Sequence, residues 1–174
     1  MRIIATPTLT LEPQTVAHAE EMFAVLSDPV IYEYENEAPP SLEWLRRRFA
    51  KLESRKSVDG QQQWLNWVIR LPTSEPIGFV QATVRPNGHA GIAYVLASAY
   101  WGRGLAREAV KAMMTELVEQ YGVSTFSAVL KRENLRSVKL LERLDFSLAT
   151  VAEHVEYQVE LDELLMLRRS NSMS

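Results

Sequence analysis

The sequence predicts an α+β fold: a mixed, mostly antiparallel sheet of about seven strands flanked by about four helices, in one domain spanning residues 1–174. Three observations carry this prediction. The chain has 174 residues, 47% of them hydrophobic and 24% charged, the size and balance of one globular domain with a core of its own. Between Trp64 and Leu96, three apolar runs are separated by the turn signals Pro72-Thr73-Ser74-Glu75-Pro76 and Asn87-Gly88, which reads as an antiparallel meander. From Leu105 to Tyr121, Ala106, Ala109, Val110, Met113, Leu117, Val118 and Tyr121 recur at helical spacing, and Gly122 stands where such a helix stops.

The other elements follow from local chemistry. Thr8 to Leu11 alternates between Pro7 and Pro13 and predicts a short edge strand. Thr15 is placed to cap a helix whose apolar side is Val16, Ala19, Phe23 and Leu26, ending before Pro29. Tyr32 to Pro40 lacks any helical period and reads as a loop. Ser41 predicts an N-cap for a helix carrying Leu42, Leu45, Phe49 and Leu52 on one face. Trp64 to Leu71 and Ile77 to Val84 form a predicted hairpin, and the nearly continuous apolar run Ala90 to Leu96 predicts a central strand. Thr125 to Leu130 is then a strand and Leu135 to Leu144 a helix. Ser147 to Glu153 and His154 to Glu160 are read as two further strands, and Leu161 to Ser174 as a helical turn with a polar tail.

Several function classes are excluded. The chain has no cysteine, so disulfides, thiolate nucleophiles and Cys-based metal centres are absent. His18, His89 and His154 lack ligand-like spacing, so no metal is expected. No apolar run approaches the ~20 residues of a membrane span, and the N-terminus is too quickly interrupted for a signal peptide, so the expected location is the cytoplasm. A net charge of -3 argues against nucleic-acid or membrane partners held by bulk electrostatics. Within that acidic protein, Trp101 to Leu144 carries Arg103, Arg107, Lys111, Lys131, Arg132, Arg136, Lys139 and Arg143 against five glutamates, a local excess that suits either a phosphorylated ligand or solvated helix faces.

The informative segment is a strand followed by Tyr100-Trp101-Gly102-Arg103-Gly104-Leu105-Ala106 and the long helix. A Gly-x-Gly at such a junction lets a ligand approach the main chain where the first helical N–H groups lack partners, and this terminus favours a phosphate. No Gly-Lys-Ser/Thr follows, which excludes a Walker site, and no third glycine completes a dinucleotide fingerprint.

Ala93-Tyr94-Val95-Leu96, then Trp101-Gly102-Arg103-Gly104-Leu105-Ala106, Glu108-Ala109, Asn134-Leu135-Arg136-Ser137 and Leu144-Asp145-Phe146 together resemble the GNAT superfamily of acyl-CoA-dependent N-acyltransferases. The Trp-Gly-x-Gly and Asn-x-x-Ser spellings resemble its ribosomal-protein N-acetyltransferase (RimJ/RimL-like) branch, and the element order matches from Thr8 to Glu160. The resemblance implies a fold, an acetyl-CoA co-substrate and a direct transfer to a primary amine, either a protein N-terminus or a small molecule. It implies CoA contacts at Gly102, Arg103, Gly104, Leu105 and Ala106, and pantetheine contacts at the backbone of Val95 and Leu96. Asn134 matches the family's CoA-contacting asparagine and equally suits an N-cap. Ser137 matches the position that hydrogen-bonds the CoA sulfur and serves as general acid, and an ordinary first-turn serine would look the same. Ala99 stands where the family carries Gln or Arg.

Transfer from a thioester needs positioning, a polarised carbonyl and proton traffic. A backbone N–H near Leu96 fits the second need, and Ser137 the protonation of sulfur. For the base, His89 is more typical of a surface residue beside a turn, while Glu33, Glu35 and Glu37 either draw in an ammonium group or solvate their loop. Trp64 and Trp67 are expected in core and groove packing. A non-catalytic acyl-CoA sensor or scaffold with the same fold is the alternative, favoured by Ala99 and the missing base. The chain is expected to be a monomer or a homodimer, with Leu161, Leu164, Leu165 and Leu167 forming a dimer surface or capping the core.

Overall fold

The computed structural model describes residues 1–34 and 36–170. Eight strands form one sheet: β1 (Ile4–Ala5), β2 (Thr10–Pro13), β3 (Gln63–Arg70), β4 (Pro76–Val84), β5 (His89–Leu96), β6 (Thr125–Lys131), β7 (Ser147–Leu148) and β8 (Glu163–Arg169). Five α-helices accompany them: α1 (Ala19–Val25), α2 (Leu42–Glu53), α3 (Leu105–Tyr121), α4 (Leu135–Glu142) and α5 (Val151–Glu156). The strand order is β1-β2-β3-β4-β5-β6-β8-β7. Every neighbouring pair is antiparallel except β5 and β6.

Side-chain alternation divides the sheet into two working faces. On one, Leu65, Trp67, Ile69, Val80, Ala82 and Ile92 pack with Ala109, Val110, Met113 and Leu117 of α3 and Leu141 of α4. On the other, Val68, Phe79 and Val95 meet Met22 and Leu26 from the α1 segment and Leu45 and Phe49 of α2. The strands from Trp64 to Leu96, α2 with its Ser41 cap (Trp44 N–H donating to Ser41 Oγ at 3.1 Å) and α3 with its Gly122 stop at φ 64° all match the sequence reading.

The C-terminal part departs from it. Instead of two strands from Ser147 to Glu160, only Ser147–Leu148 is extended, and Val151–Glu156 is helical. The cause is a capping box: Thr150 Oγ1 accepts from Glu153 N–H at 3.2 Å while Glu153 Oε2 accepts from Thr150 N–H at 2.8 Å. The final segment is not a helical turn but β8, inserted between β6 and β7, so both of its edges are paired. Leu165 and Leu167 are therefore buried in the chain's own sheet and Leu164 packs against its core, leaving Leu161 as the one exposed member of the expected apolar surface. At the other end, β1 covers β2, which is not an edge strand. Glu35 and residues 171–174 lie outside the described residues.

β5 and β6 are in register only at His89–Gly91 against Thr125–Ser127. Beyond Gly91 β5 stays with β4 up to Leu96, while β6 stays with β8. Two parallel strands that part company leave a wedge in the sheet, and its open end is where α3 and α4 begin.

Candidate active site

The backbone of β5 lines the wedge. Arg85 N–H donates to His89 O and Ala97 N–H to Ile77 O, both at 2.8 Å, so the odd-numbered residues of β5 turn their peptide groups to β4. By alternation Tyr94 and Leu96 turn theirs into the opening. The Leu96 carbonyl there accepts Trp101 Nε1–H at 2.8 Å, which leaves the Leu96 N–H facing the same side. Gly78, opposite Leu96 on β4, permits this arrangement: a Cβ at Gly78 would fall 2.0 Å from the Val95 carbonyl oxygen.

From Leu96 the chain turns through Ser98–Tyr100 into the glycine loop. Gly104 is the N-cap of α3 at φ 77° and brings no side-chain cap. The first intrahelical bond runs from Glu108 N–H to Gly104 O at 3.1 Å, so the N–H groups of Leu105, Ala106 and Arg107 have no partner within the helix. A cavity of about 250 Å³ opens before them, lined by Gly102, Gly104 and Ala106 and ringed by Arg107, Arg136, Lys139 and Arg143. Nothing lies within 4 Å of where a Cβ on Gly102 or Gly104 would stand. Free donors at a positive helix end, an open cradle and four cations fit a pyrophosphate. None of the four is in an ion pair among the described residues. The Arg136 guanidinium lies 3.5 Å from the centroid of the Trp101 ring, a stacked cation anchored through that indole to Leu96. Ala99, which stands where the resemblance places Gln or Arg, is exposed, and Arg136 and Lys139 of α4 line the cavity.

The wedge continues inward as a cleft lined by Val95, Leu96, Asn134, Ser137 and, from the α1–α2 side, Val30 and Ile31. Asn134 caps α4, its Oδ1 accepting Ser137 N–H at 3.2 Å, and this holds the serine in the first turn facing the cleft. The Tyr94 hydroxyl is buried beside Ser137. Burial pushes its pKa up to about 12, with the Ser137 hydroxyl pulling the other way, yet the pair does not reach hydrogen-bond geometry. Sequence reasoning gave Tyr94 no role of its own, and it weighed Arg107, Arg136, Lys139 and Arg143 only within a basic segment suited to a phosphorylated ligand or to solvated helix faces. A signal for the ring existed in Arg136, Lys139 and Arg143, spaced to share one helical face.

On the other side of Tyr94 and Val95 lies a second cavity of about 270 Å³, walled by Tyr32, Trp44, Phe49 and Phe79, with Glu37 and Arg48 the charged lining residues among those described. Glu33 is exposed and lines neither cavity. Asp28 ties the two sides together: Oδ1 accepts Val30 N–H at 3.1 Å and Oδ2 accepts Ser98 N–H and Oγ–H at 2.8 and 2.6 Å, bonds that hold its carboxyl below the usual range, the Ser98 hydroxyl most of all.

His89 is not a surface residue. It is buried between β4 and β6, its Nε2 2.7 Å from Ser127 Oγ and its Nδ1 3.4 Å from Tyr157 Oη. Seven residues of strand, roughly 23 Å, separate it from Leu96, so it takes no part in the cleft. Among the tryptophans, Trp67 is core, and its Nε1–H donates to Arg2 O at 3.1 Å, while Trp64 is half-buried under the Lys51 ammonium. Among the described residues no helix is long and apolar enough to cross a membrane.

The model of the acetyltransferase (GNAT) domain family matches residues 8–147. An uncharacterized N-acetyltransferase, p20 of Bacillus licheniformis, is 28% identical over 84% of this chain and 83% of its own. Among solved structures, the ribosomal L7/L12 α-N-protein acetyltransferase RimL in complex with coenzyme A superposes with a TM-score of 0.82 at 20% identity, covering 98% of this chain and 99% of that one. The ribosomal-protein-S5-alanine acetyltransferase of Vibrio fischeri gives 0.80 at 15% identity over the whole of both.

Proposed function

The chain belongs to the GNAT acetyltransferase family and is an N-acetyltransferase, and from that premise we propose that it transfers acetyl from acetyl-CoA directly to a primary amine held in the cavity between the sheet and α1–α2. The observation that carries this reading is the convergence of two cavities on one wall: Tyr94 and Val95 line both the donor cleft and the second cavity. Ligands entering from opposite sides would meet there, as a direct transfer requires.

Bound acetyl-CoA supplies an activated acetyl thioester and a thiol leaving group. Residues Gly102 to Ala106 hold its pyrophosphate by main-chain N–H groups, with Arg107, Arg136, Lys139 and Arg143 neutralising phosphate charge. Val95, Leu96 and Asn134 line the pantetheine channel. The Leu96 N–H polarises the acetyl carbonyl. As the nitrogen bonds to the acetyl carbon and the C–S bond breaks, Ser137 Oγ gives its proton to the departing sulfur. Ser137 regains one, through ordered water, from the proton that the new amide nitrogen sheds, with Tyr94, a phenol kept neutral by its burial, placed behind it. The amine arrives protonated, is drawn by Glu37 at the cavity rim, and loses its proton there through solvent. RimL and the S5 enzyme act, by their names, on ribosomal proteins, which favours a polypeptide N-terminus over a small amine.

Calorimetric titration with acetyl-CoA, with ATP as control, followed by thiol release on adding a panel of amines, tests the reading. Saturable binding that ATP does not reproduce, with amine-dependent thiol release, is expected. Binding without thiol release from any amine would leave only a sensor.

A further inference from the structure

Two buried side-chain polar atoms among the described residues have no hydrogen-bond partner, Gln14 Nε2 and Tyr94 Oη. Both residues line the second cavity, but the Tyr94 hydroxyl itself lies beside Ser137 on the donor side, so the unpaired donor that belongs to this cavity is Gln14 Nε2. Tyr94 stands where that cavity meets the donor cleft, and Gln14 stands across the sheet from it. Unpaired buried donors are rare in native proteins, so a cavity holding Gln14 Nε2 unpaired at its far end is shaped for an occupant with a matching acceptor.

The floor between them is of one chemistry. Gln14 N–H donates to Asn66 O at 2.9 Å, Asn66 is in register with Gln81 on β4, and Gln81 with Ala93 on β5. Gln14, Asn66 and Gln81 thus form a row of carboxamides crossing the strands on the α1–α2 face, and all three line the cavity. Gln14 and Asn66 are 5% and 6% exposed, and the main-chain bond to β3 keeps Gln14 turned inward. A carboxamide both donates and accepts without charge. Such a row suits the alternating N–H and C=O groups of a peptide, and among the described lining residues the one carboxylate, Glu37, is matched by one cation, Arg48.

Distance adds a length requirement. At about 4.8 Å per strand spacing, the Gln14 backbone lies roughly 14 Å from β5, and even a fully reaching glutamine leaves more than one residue of substrate to span. We propose that Gln14, Asn66 and Gln81 are a specificity-determining strip that binds the main chain of the acceptor, so that the enzyme selects polypeptide N-termini of about three residues or more and reads a carbonyl oxygen with Gln14, well inside the chain from the reacting amine. The proposal rests on the reading of this cavity as the acceptor site.

The test compares three acceptor sets with the full-length protein and acetyl-CoA: a randomised tetrapeptide-amide library, the pooled aminoacyl amides, and spermidine. Acetylation is followed by mass and thiol release, and acetyl-CoA affinity by calorimetry. Tetrapeptides are expected to exceed aminoacyl amides at least tenfold in kcat/KM. Gln14→Met, which keeps length and removes the amide, should cost the tetrapeptides about tenfold through KM while aminoacyl amides and acetyl-CoA affinity stay within about twofold. Gln81→Met, on a half-buried position, repeats the test should Gln14→Met fold poorly. Equal or better turnover of aminoacyl amides or spermidine, or equal losses for short and long acceptors in both variants, would overturn the strip and leave amine acetylation intact. Acetyl-CoA binding with no acetylation of any set would instead overturn the transfer itself, and the strip with it.

Discussion

The cavities proposed for donor and acceptor share a wall but are built by different means. On the donor side the chain uses its backbone: peptide N–H groups at the start of α3, the Leu96 N–H in the wedge, and glycines that keep side chains out of the way. The lining runs along one stretch of chain from Leu96 to Arg107 and resumes on α4. The proposed acceptor side uses side chains, Gln14 just after β2, Asn66 from β3 and Gln81 from β4, roofed by α2 and the segment that follows α1. A main-chain site is intolerant of added bulk and indifferent to much else. A side-chain site can change its ligand by single substitutions, so one scaffold can keep its co-substrate while its acceptor varies.

The largest test of that contrast is Gly104→Val. The added branch would stand in the open cradle at φ 77° and should weaken acetyl-CoA at least a hundredfold by calorimetry. The left-handed backbone adds a cost of about 1–2 kcal/mol, which lowers Tm but leaves a folded protein. Retained affinity would show that the phosphates are held elsewhere. Ser137→Ala comes next. It removes a proton donor and leaves the Asn134 cap intact, because the cap bonds the Ser137 N–H. A fall in kcat of about 10–100-fold is expected, with acetyl-CoA affinity within about twofold, and unchanged turnover would take Ser137 out of the chemistry. Arg136→Ala, which loses both the cation and the stack on Trp101, should weaken acetyl-CoA about 5–10-fold at low salt and less at high salt. A loss independent of salt would assign Arg136 to packing alone.

The same contrast explains what was legible in the sequence. The lining of the donor half could be read because it is contiguous in the chain: Trp101 to Ala106, and Asn134 with Ser137 three residues on. The acceptor half could not, since Gln14, Asn66 and Gln81 are isolated polar residues in strands, and only register places them in one row. The fold was legible wherever periodicity was long, as in α3, or turns were marked, as between β3 and β5. It failed from Ser147 to Arg169 because Val151 and Val155 mimic a strand while sitting exposed on a six-residue helix, and because β8, paired on both edges, shows an apolar run without alternation. His89 was misjudged for a related reason: a turn neighbour reads as surface, but the only parallel pairing in the sheet closes over it.

That closed end is common to both halves, so a change there should not discriminate between them. Burial, aided by the charge of Arg85, holds the His89 pKa below its ordinary 6.5, and its ring nitrogens face Ser127 and Tyr157. Above pH 6.5 the folded and unfolded chains both carry a neutral imidazole and the full stability is present. As pH falls below 6.5 the unfolded chain takes up a proton first, so stability declines until the folded pKa is passed. A drop of a few °C in Tm between pH 7.5 and 5.0 is expected from this group, and His89→Gln, which keeps a polar partner for Ser127 but cannot titrate, should flatten that part of the profile. Because β5 is the strand the two sites share, loosening its pairing with β6 should weaken acetyl-CoA binding and acceptor turnover together as the pH falls. A fall in one without the other would mean that the wedge does not rest on its hinge.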